Sequence, residues 1–218
     1  MTDGVKPRRR YDSPRRREQA EATRRDILSA AQRLFEAHGY AATTMAAIAA
    51  EAGVALKTVY VAFETKSGLL RALWHLLLRG ERDDLPVGEQ PWFQEVLDEP
   101  DPERQVRMTA RNSRLVKQRA GALMEILRSA APTDPDIATL WARIQTDFHA
   151  NQRAIVESLH EKGALRPDLD VEGAADILWT LNHPNVWQLL VGERGWTADR
   201  FEDWLADALC SQLLRGPA

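Results

Sequence analysis

The sequence predicts an all-α protein, and three observations carry that reading. Apolar residues recur every three or four positions through most of the 218 residues, the spacing that gathers side chains on one face of a helix. Two short helical patterns separated by a glycine turn lie between Tyr40 and Leu70. No alternating apolar–polar run of strand length competes with them. The expected architecture is nine or ten helices and no sheet, with a three-helix unit containing a helix-turn-helix near the amino end and a larger helical bundle behind it.

Roughly the first 15 to 18 residues carry Pro7, Pro14 and dense arginine, so residues 1–18 are expected to form a basic tail without stable structure. Ordering of that tail on DNA, with a reach into the minor groove, is one expectation for it. Helix 1 runs to about His38 on a stripe of Ile27, Ala31, Leu34 and Phe35. Thr23 with Asp26 fits a capping box, with a start further upstream left open, and Gly39 ends the helix. Thr43 or Thr44 caps a short second helix whose Met45, Ile48 and Ala49 share a face. Gly53 then supplies the positive φ with which many helices end, and Val54 plugs the turn. The third helix covers about Leu56 to Phe63, with Val59 and Phe63 inward and Lys57, Thr58, Val61 and Ala62 outward. Two short helices around a tight turn are the unit whose second helix enters a major groove. Lys66-Ser67-Gly68 opens a fourth helix to about Arg79, buried through Leu69, Leu70, Leu73, Trp74 and Leu77.

The residues Tyr40, Thr43-Thr44, Ile48-Ala49, Ala52-Gly53-Val54, Thr58-Val59-Tyr60, Phe63, Lys66 and Leu69-Leu70 stand at fixed spacing. In that pattern the segment resembles the TetR-type (TetR/AcrR) transcriptional regulators. The resemblance covers about residues 24–75; beyond them it rests on length, helical pattern and a generic closing helix. It implies a DNA-binding domain over 19–66 and a helical ligand-binding and dimerisation domain over 67–218. It also implies a homodimer whose two C-terminal helices, about 171–191 and 197–215, form a four-helix bundle with their mates. A small molecule in the core domain would shift the spacing of the paired recognition helices and release a palindromic operator. One residue departs from the pattern: Ala55 stands where the family often places a capping side chain, a loss of roughly 1 kcal/mol.

Residues 80–102 hold Gly80, Pro86, Gly88, Pro91, Pro100 and Pro102 and read as a long loop, anchored by Trp92-Phe93. A helix resumes near Glu103 and continues to Ser129, with a break around Gly121 left open. Ala131 to Pro135 is a connector, and Asp134 before Pro135 starts the next helix. Its face is Ile137, Leu140, Trp141, Ile144, Phe148, Ile155 and Leu159, ending at Gly163. Asp170 starts another, faced by Ala174, Ile177, Leu178 and Leu181 and interrupted or restarted at Pro184. Thr197 caps the last, where Phe201, Trp204, Leu205, Ala208, Leu209 and Leu213 repeat before Gly216-Pro217.

Composition narrows the function classes. No apolar run reaches the length of a bilayer span, and the charged amino end lacks the apolar stretch of a secretory signal. Cys210 is the lone cysteine, so an internal disulfide and a cysteine zinc site are both excluded and the residue reads as filler. These features point to the cytoplasm. The net charge of −3 hides a polarity: residues 1–25 hold nine Lys and Arg against four Asp and Glu, a net +5, so the remainder carries −8. A basic head on an acidic body suits a polyanionic partner, and beside a helix-turn-helix that partner is double-stranded DNA.

Lys57 is the expected base reader, since an ammonium donates to guanine O6 and N7, while Leu56 and Val61 suit a thymine methyl. Thr44, Thr58, Tyr60 and Lys66 are expected phosphate contacts by analogy with matching family positions; a plain cap for Thr44 and a ring packed on helix 1 for Tyr60 are the alternatives. One small module reads too few base pairs, hence the expected dimer on a palindrome. Trp187, Phe201, Trp204, Leu205, Ala208 and Leu209 are the dimerisation candidates, with about half of them expected in the internal core. Expected cavity residues are Trp74, Met108, Arg111, Leu115, Met124, Trp141, Phe148, Trp179, Asn182 and His183. The aromatics and methionines also fit plain core. Arg111, Asn182 and His183 are polar on largely apolar faces and need partners: an acidic or polar ligand, a helix end, or the dimer seam. His149, Asp147 and His183 are of metal-ligating type, but their spacing is not that of a metal motif, and neither metal nor cofactor is expected. The function so read is a ligand-released repressor. The alternatives are a regulator of the same fold without a small-molecule ligand and, last, a helical-bundle enzyme, for which no catalytic motif appears.

Overall fold

The computed structural model describes residues 14–79 and 85–216. Residues 1–13 of the expected tail, residues 80–84 of the expected loop, and Pro217 lie outside the described residues. The chain runs through α1 (Pro14–Ala42), α2 (Met45–Glu51), α3 (Leu56–Phe63), α4 (Lys66–Arg79), α5 (Pro91–Asp98), α6 (Pro102–Ala130), α7 (Pro135–Glu161), α8 (Val171–Leu181), α9 (Pro184–Trp187) and α10 (Ala198–Leu213). No strand forms among the described residues; a single antiparallel bridge ties Leu165 to Leu214.

The capping signals act where the sequence places them. Thr44 Oγ1 accepts from the Ala47 amide at 3.1 Å, and Asp134, Asp170 and Thr197 accept from the first turns of α7, α8 and α10. Between α2 and α3 the Gly53 amide donates to Ala50 O and the Val54 amide to Ala49 O, with Gly53 at φ 66°. That pair of bonds satisfies the last carbonyls of α2 and needs a left-handed residue at its centre. The axes of α2 and α3 turn through 112° there.

Two apolar clusters hold the molecule. The first joins Ile27, Phe35, Ile48, Val59, Phe63, Leu69, Leu70 and Trp74 to Leu123 and Leu127 of α6 and Ile137 of α7. The second gathers Phe93, Val106, Ile155, Leu159, Leu178, Phe201, Leu205 and Leu209. α6 runs through both, with α1 and α4 against one end and α10 along the other, while α7 packs on α8.

Four expectations change or are decided. α1 begins at Pro14, so residues 14–18 are helical rather than tail, and Thr23 lies inside the helix instead of capping it. Proline suits a first turn, and the Arg, Glu, Gln and Ala that follow are strong helix formers. Regular α1 does break at Gly39, where φ is 75° and ψ 172°. The loop expected over 80–102 contains α5: Pro91 is its first residue, and Phe93 and Val96 fold under it. α6 passes Gly121 unbroken, because one glycine costs a helix roughly 1 kcal/mol and the neighbouring Ala120, Leu123 and Met124 are buried. α8 stops at Leu181, and the helix restarts at Pro184 with His183 Nδ1 accepting from the Asn185 amide.

The joint between α3 and α4 is tight. Thr65 Oγ1 accepts from the Gly68 amide at 2.9 Å, and a Cβ added at Gly68 would stand 2.5 Å from the carbonyl oxygen of Phe63. That oxygen is backbone and cannot swing aside. Gly68→Ala is therefore expected to cost about 1–3 kcal/mol, read as a lower midpoint in urea or thermal unfolding.

Candidate DNA-binding face and core cavity

Burial of Val59 and Phe63 fixes the rotation of α3 and turns Leu56, Lys57, Tyr60 and Val61 to solvent; Thr58 is half-buried. Leu56, Tyr60 and Val61 are 41%, 48% and 76% exposed, so the apolar exposure of α3 is a group on one short helix rather than a lone residue. Arg24 of α1 donates to Ala62 O at 3.0 Å and lies 4.3 Å from the centre of the Phe63 ring, holding the last turn of α3. Ala55 gives α3 no side-chain cap, as its residue type requires.

Lys66 is placed differently from a free phosphate contact. Its ammonium donates to Tyr40 O at 2.8 Å and Thr43 O at 3.0 Å and stands 4.1 Å from the Tyr40 ring centre. Burial lowers its pKa from the usual lysine value. Two of its three donors thus close the junction of α1 and α2. Thr44 is exposed, with its hydroxyl oxygen engaged as the α2 cap. Tyr40 in turn donates from its hydroxyl to Asp134 Oδ2 at 2.6 Å, and Ser67 donates to Asp136 Oδ2 at 3.0 Å, so both residues at the start of α7 hold the head. Burial first, then the bond to Asp134, raises the Tyr40 pKa; the same bond holds the Asp134 carboxyl below the ordinary carboxylate range.

Between α4, α5, α6 and α7 lies a cavity of about 460 Å³. Trp74, Trp92, Phe93, Trp141 and Phe148 supply apolar walls, and Arg71, His75, Glu89, Arg143 and Asp147 are its exposed charged or titratable lining. Its polar end is buried. There Lys117 Nζ donates to Ser113 Oγ and to Asn182 Oδ1 at 2.6 Å, Ser113 donates to the same Asn182 oxygen, and Asn182 Nδ2 donates to Gln152 Oε1 at 2.9 Å. Lys117 is 5% exposed, and among the described residues no carboxylate pairs with it. Burial pulls its pKa down to about 7. His183 is also lowered, by burial first and then by the Lys117 and Arg128 charges.

Residues 27–73 match the family model for bacterial regulatory proteins, tetR family. Over 167 residues the chain is 31% identical to the probable HTH-type transcriptional regulator ArpR of Pseudomonas putida, covering 74% of this chain and 77% of that protein. This chain belongs to the TetR family. TtgR, another HTH-type transcriptional regulator of Pseudomonas putida, is 30% identical with the same coverage. The SmeT–triclosan complex, SmeT being from Stenotrophomonas maltophilia, superposes with a TM-score of 0.70 at 22% identity, covering 89% of this chain and 92% of that one. At that identity the likeness is one of fold.

In this TetR-family regulator the cavity takes only part of the expected set. Trp74, Met124, Trp141, Phe148 and Asn182 line it; Met108, Arg111, Leu115, Trp179 and His183 do not. Arg111 is exposed and Leu115 is 45% exposed. The cause is the rotation of α6, whose cavity face is Thr109, Asn112, Ser113, Val116 and Lys117. An offset of one or two residues turns a helix face by about 100–200°. Trp179 packs instead on His183, ring centres 4.8 Å apart, and on His149 at 6.3 Å. Its indole Nε1 is buried without a hydrogen-bond partner. His149 Nε2 lies 3.2 Å from Asp176 Oδ1 and His183 Nε2 3.3 Å from Gln145 Oε1, and the two are not gathered with Asp147 into a metal-binding cluster among the described residues.

The dimerisation candidates divide as well. Phe201, Leu205 and Leu209 are fully buried within the single chain and belong to its second core, so they are not available to a partner. Trp204 and Ala208 are half-buried on α10. Trp187 is half-buried too, its ring edge-on to Phe201 at 4.9 Å. Sequence reasoning misses Lys117, Ser113 and Gln152. A signal for the first two is present: Val106, Ala110, Ser113, Lys117, Ala120, Met124 and Leu127 repeat at intervals of four and three, which sets a lysine on a core stripe.

Proposed function

We propose that this regulator is a cytoplasmic, homodimeric repressor that holds a palindromic operator and is released when a small molecule fills its core cavity. One observation carries the reading. α4 contributes Trp74 to the cavity wall and begins at Lys66, whose ammonium bonds the α1–α2 junction. α7 contributes Trp141 and Phe148 to the same wall and begins beside Asp134, which holds Tyr40. A ligand that repositions either helix moves the head that carries α3, and it shifts the DNA equilibrium by its differential affinity for the two arrangements. SmeT, similar in fold, is described as the repressor of a multidrug efflux pump, which supports repression. The triclosan complex of SmeT supports a small-molecule effector.

In this reading Lys57 contacts bases, Leu56 and Val61 meet apolar base edges, and Thr44, Thr58 and Tyr60 touch phosphates. Lys66 acts first by fixing Tyr40 and Thr43, and its remaining donor is free for a phosphate. The partner copy packs against the outward side of α8 and α10, around Trp204 and Ala208. Lys57→Ala is expected to cost about 1–3 kcal/mol in operator affinity and to relax preference at one base pair of each half-site. Fluorescence anisotropy on operator duplexes carrying single base-pair changes reads both effects. Unchanged affinity and preference would remove Lys57 from the interface.

A further inference from the structure

Resting on the ligand-controlled reading above, we propose that the cavity takes an organic monoanion with an apolar, aromatic-sized body, its charged oxygen pairing with the Lys117 ammonium. The walls favour the body: five aromatic rings, Trp74, Trp92, Phe93, Trp141 and Phe148, face about 460 Å³ of space. The buried end favours the charge. Lys117 uses two of its three N–H donors on Ser113 and Asn182, both neutral, and no carboxylate among the described residues answers it. Its other near neighbours are the Phe201 ring, 5.5 Å away, and His183, whose pKa the Lys117 charge helps to lower.

A buried ammonium without a counter-charge is unfavourable, and an apolar side chain such as methionine would fill the same space without that cost. A ligand carboxylate or phenolate supplies the missing charge at close range in a site of low dielectric. A neutral ligand leaves the ammonium unanswered, and a cationic one adds repulsion. The remaining charged lining lies in solvent, where an ion pair with a ligand is worth little. Arg71, Glu89, Arg143 and Asp147 are exposed, and Arg143 lies 3.8 Å from Asp147 in a loose pair. Lys117 is the buried charge of the lining.

The test uses the full chain and three matched probes: biphenyl-4-carboxylate, biphenyl-4-carboxamide and 4-phenylbenzylammonium, titrated calorimetrically at about pH 6, where Lys117, with a pKa of about 7, is an ammonium. The carboxylate is expected to bind at least about tenfold more tightly than either other probe. Repeating the carboxylate titration at about pH 8, above that pKa, in buffers of different ionisation heat is expected to show net proton uptake, because pairing returns Lys117 to its charged form. In Lys117→Met the preference for the carboxylate is lost while the carboxamide still binds. Should that variant fail to fold, probe preference and proton uptake in the parent decide alone. Binding of the carboxamide or ammonium as tight as the carboxylate, or a preference that survives in Lys117→Met, overturns the inference. If those probes also release DNA, the regulator reading stands. Failure of all three to bind a chain that holds operator DNA overturns this inference alone; the ligand-controlled reading falls only if filling the cavity, with any compound that binds it, leaves the operator held.

Discussion

A Val61→Glu chain is expected to fold as the parent does and to lose its operator. The side chain is 76% exposed and belongs to no core, so its replacement should change stability by no more than about 0.5 kcal/mol, a shift of about 1–2 °C in Tm. On the outward face of α3 it stands between Leu56, Lys57 and Tyr60, all exposed. A carboxylate there faces the phosphates of the groove and, four residues on from the exposed Lys57, can draw that ammonium away from the bases. In a symmetric dimer the change is made twice. The expected loss is at least about a hundredfold in affinity, roughly 2.7 kcal/mol, measured by anisotropy alongside thermal unfolding. Val61→Gln, without the charge, should lose much less. Equal affinity for Val61→Glu and parent would mean that DNA does not meet this face of α3.

The second large effect concerns stability and pH. Burial lowers the Lys117 pKa to about 7 in the folded chain, whereas the unfolded chain keeps an ordinary lysine near 10.5. Between those values the unfolded state binds more protons, so raising the pH favours folding. Comparison with Lys117→Met isolates this group, since titrations shared by the two chains cancel. His183 is lowered from 6.5 and titrates below the window. From about pH 7 to 9 the parent is expected to gain up to about 2 kcal/mol on the variant, at most about 1.4 kcal/mol per pH unit. Urea unfolding at several pH values reads the difference. A flat difference would place the ammonium in contact with water.

The head was legible in the sequence because its signals are local. Thr44, Gly53 and the pair Val59 and Phe63 each act within one or two turns of themselves, and together they fix α2, the turn and the outward face of α3. The cavity was legible only in part because its lining depends on how α6 is rotated against α4 and α7. Periodicity gives the existence of a stripe, yet Met108, Arg111 and Leu115 lie one or two residues off the stripe that the neighbours cover. Lys66 shows the same limit: its spacing from Phe63 fits the family pattern, but only the folded chain brings it to Tyr40 O and Thr43 O. α5 was hidden because Pro91 reads as a breaker although it occupies the first turn of a helix, where proline is favoured. In α10 the division between Leu205 and Trp204 is a tertiary fact, since both lie on a broad apolar face.

Whether paired copies of α3 read DNA is decided by selecting duplexes from a random pool with the full chain and weighing the complex on the enriched sequence. Two inverted half-sites bound by an even number of chains are expected, with enrichment abolished in Val61→Glu. Recovery of no common sequence, or of a single half-site held by one chain, would contradict a symmetric DNA-reading dimer.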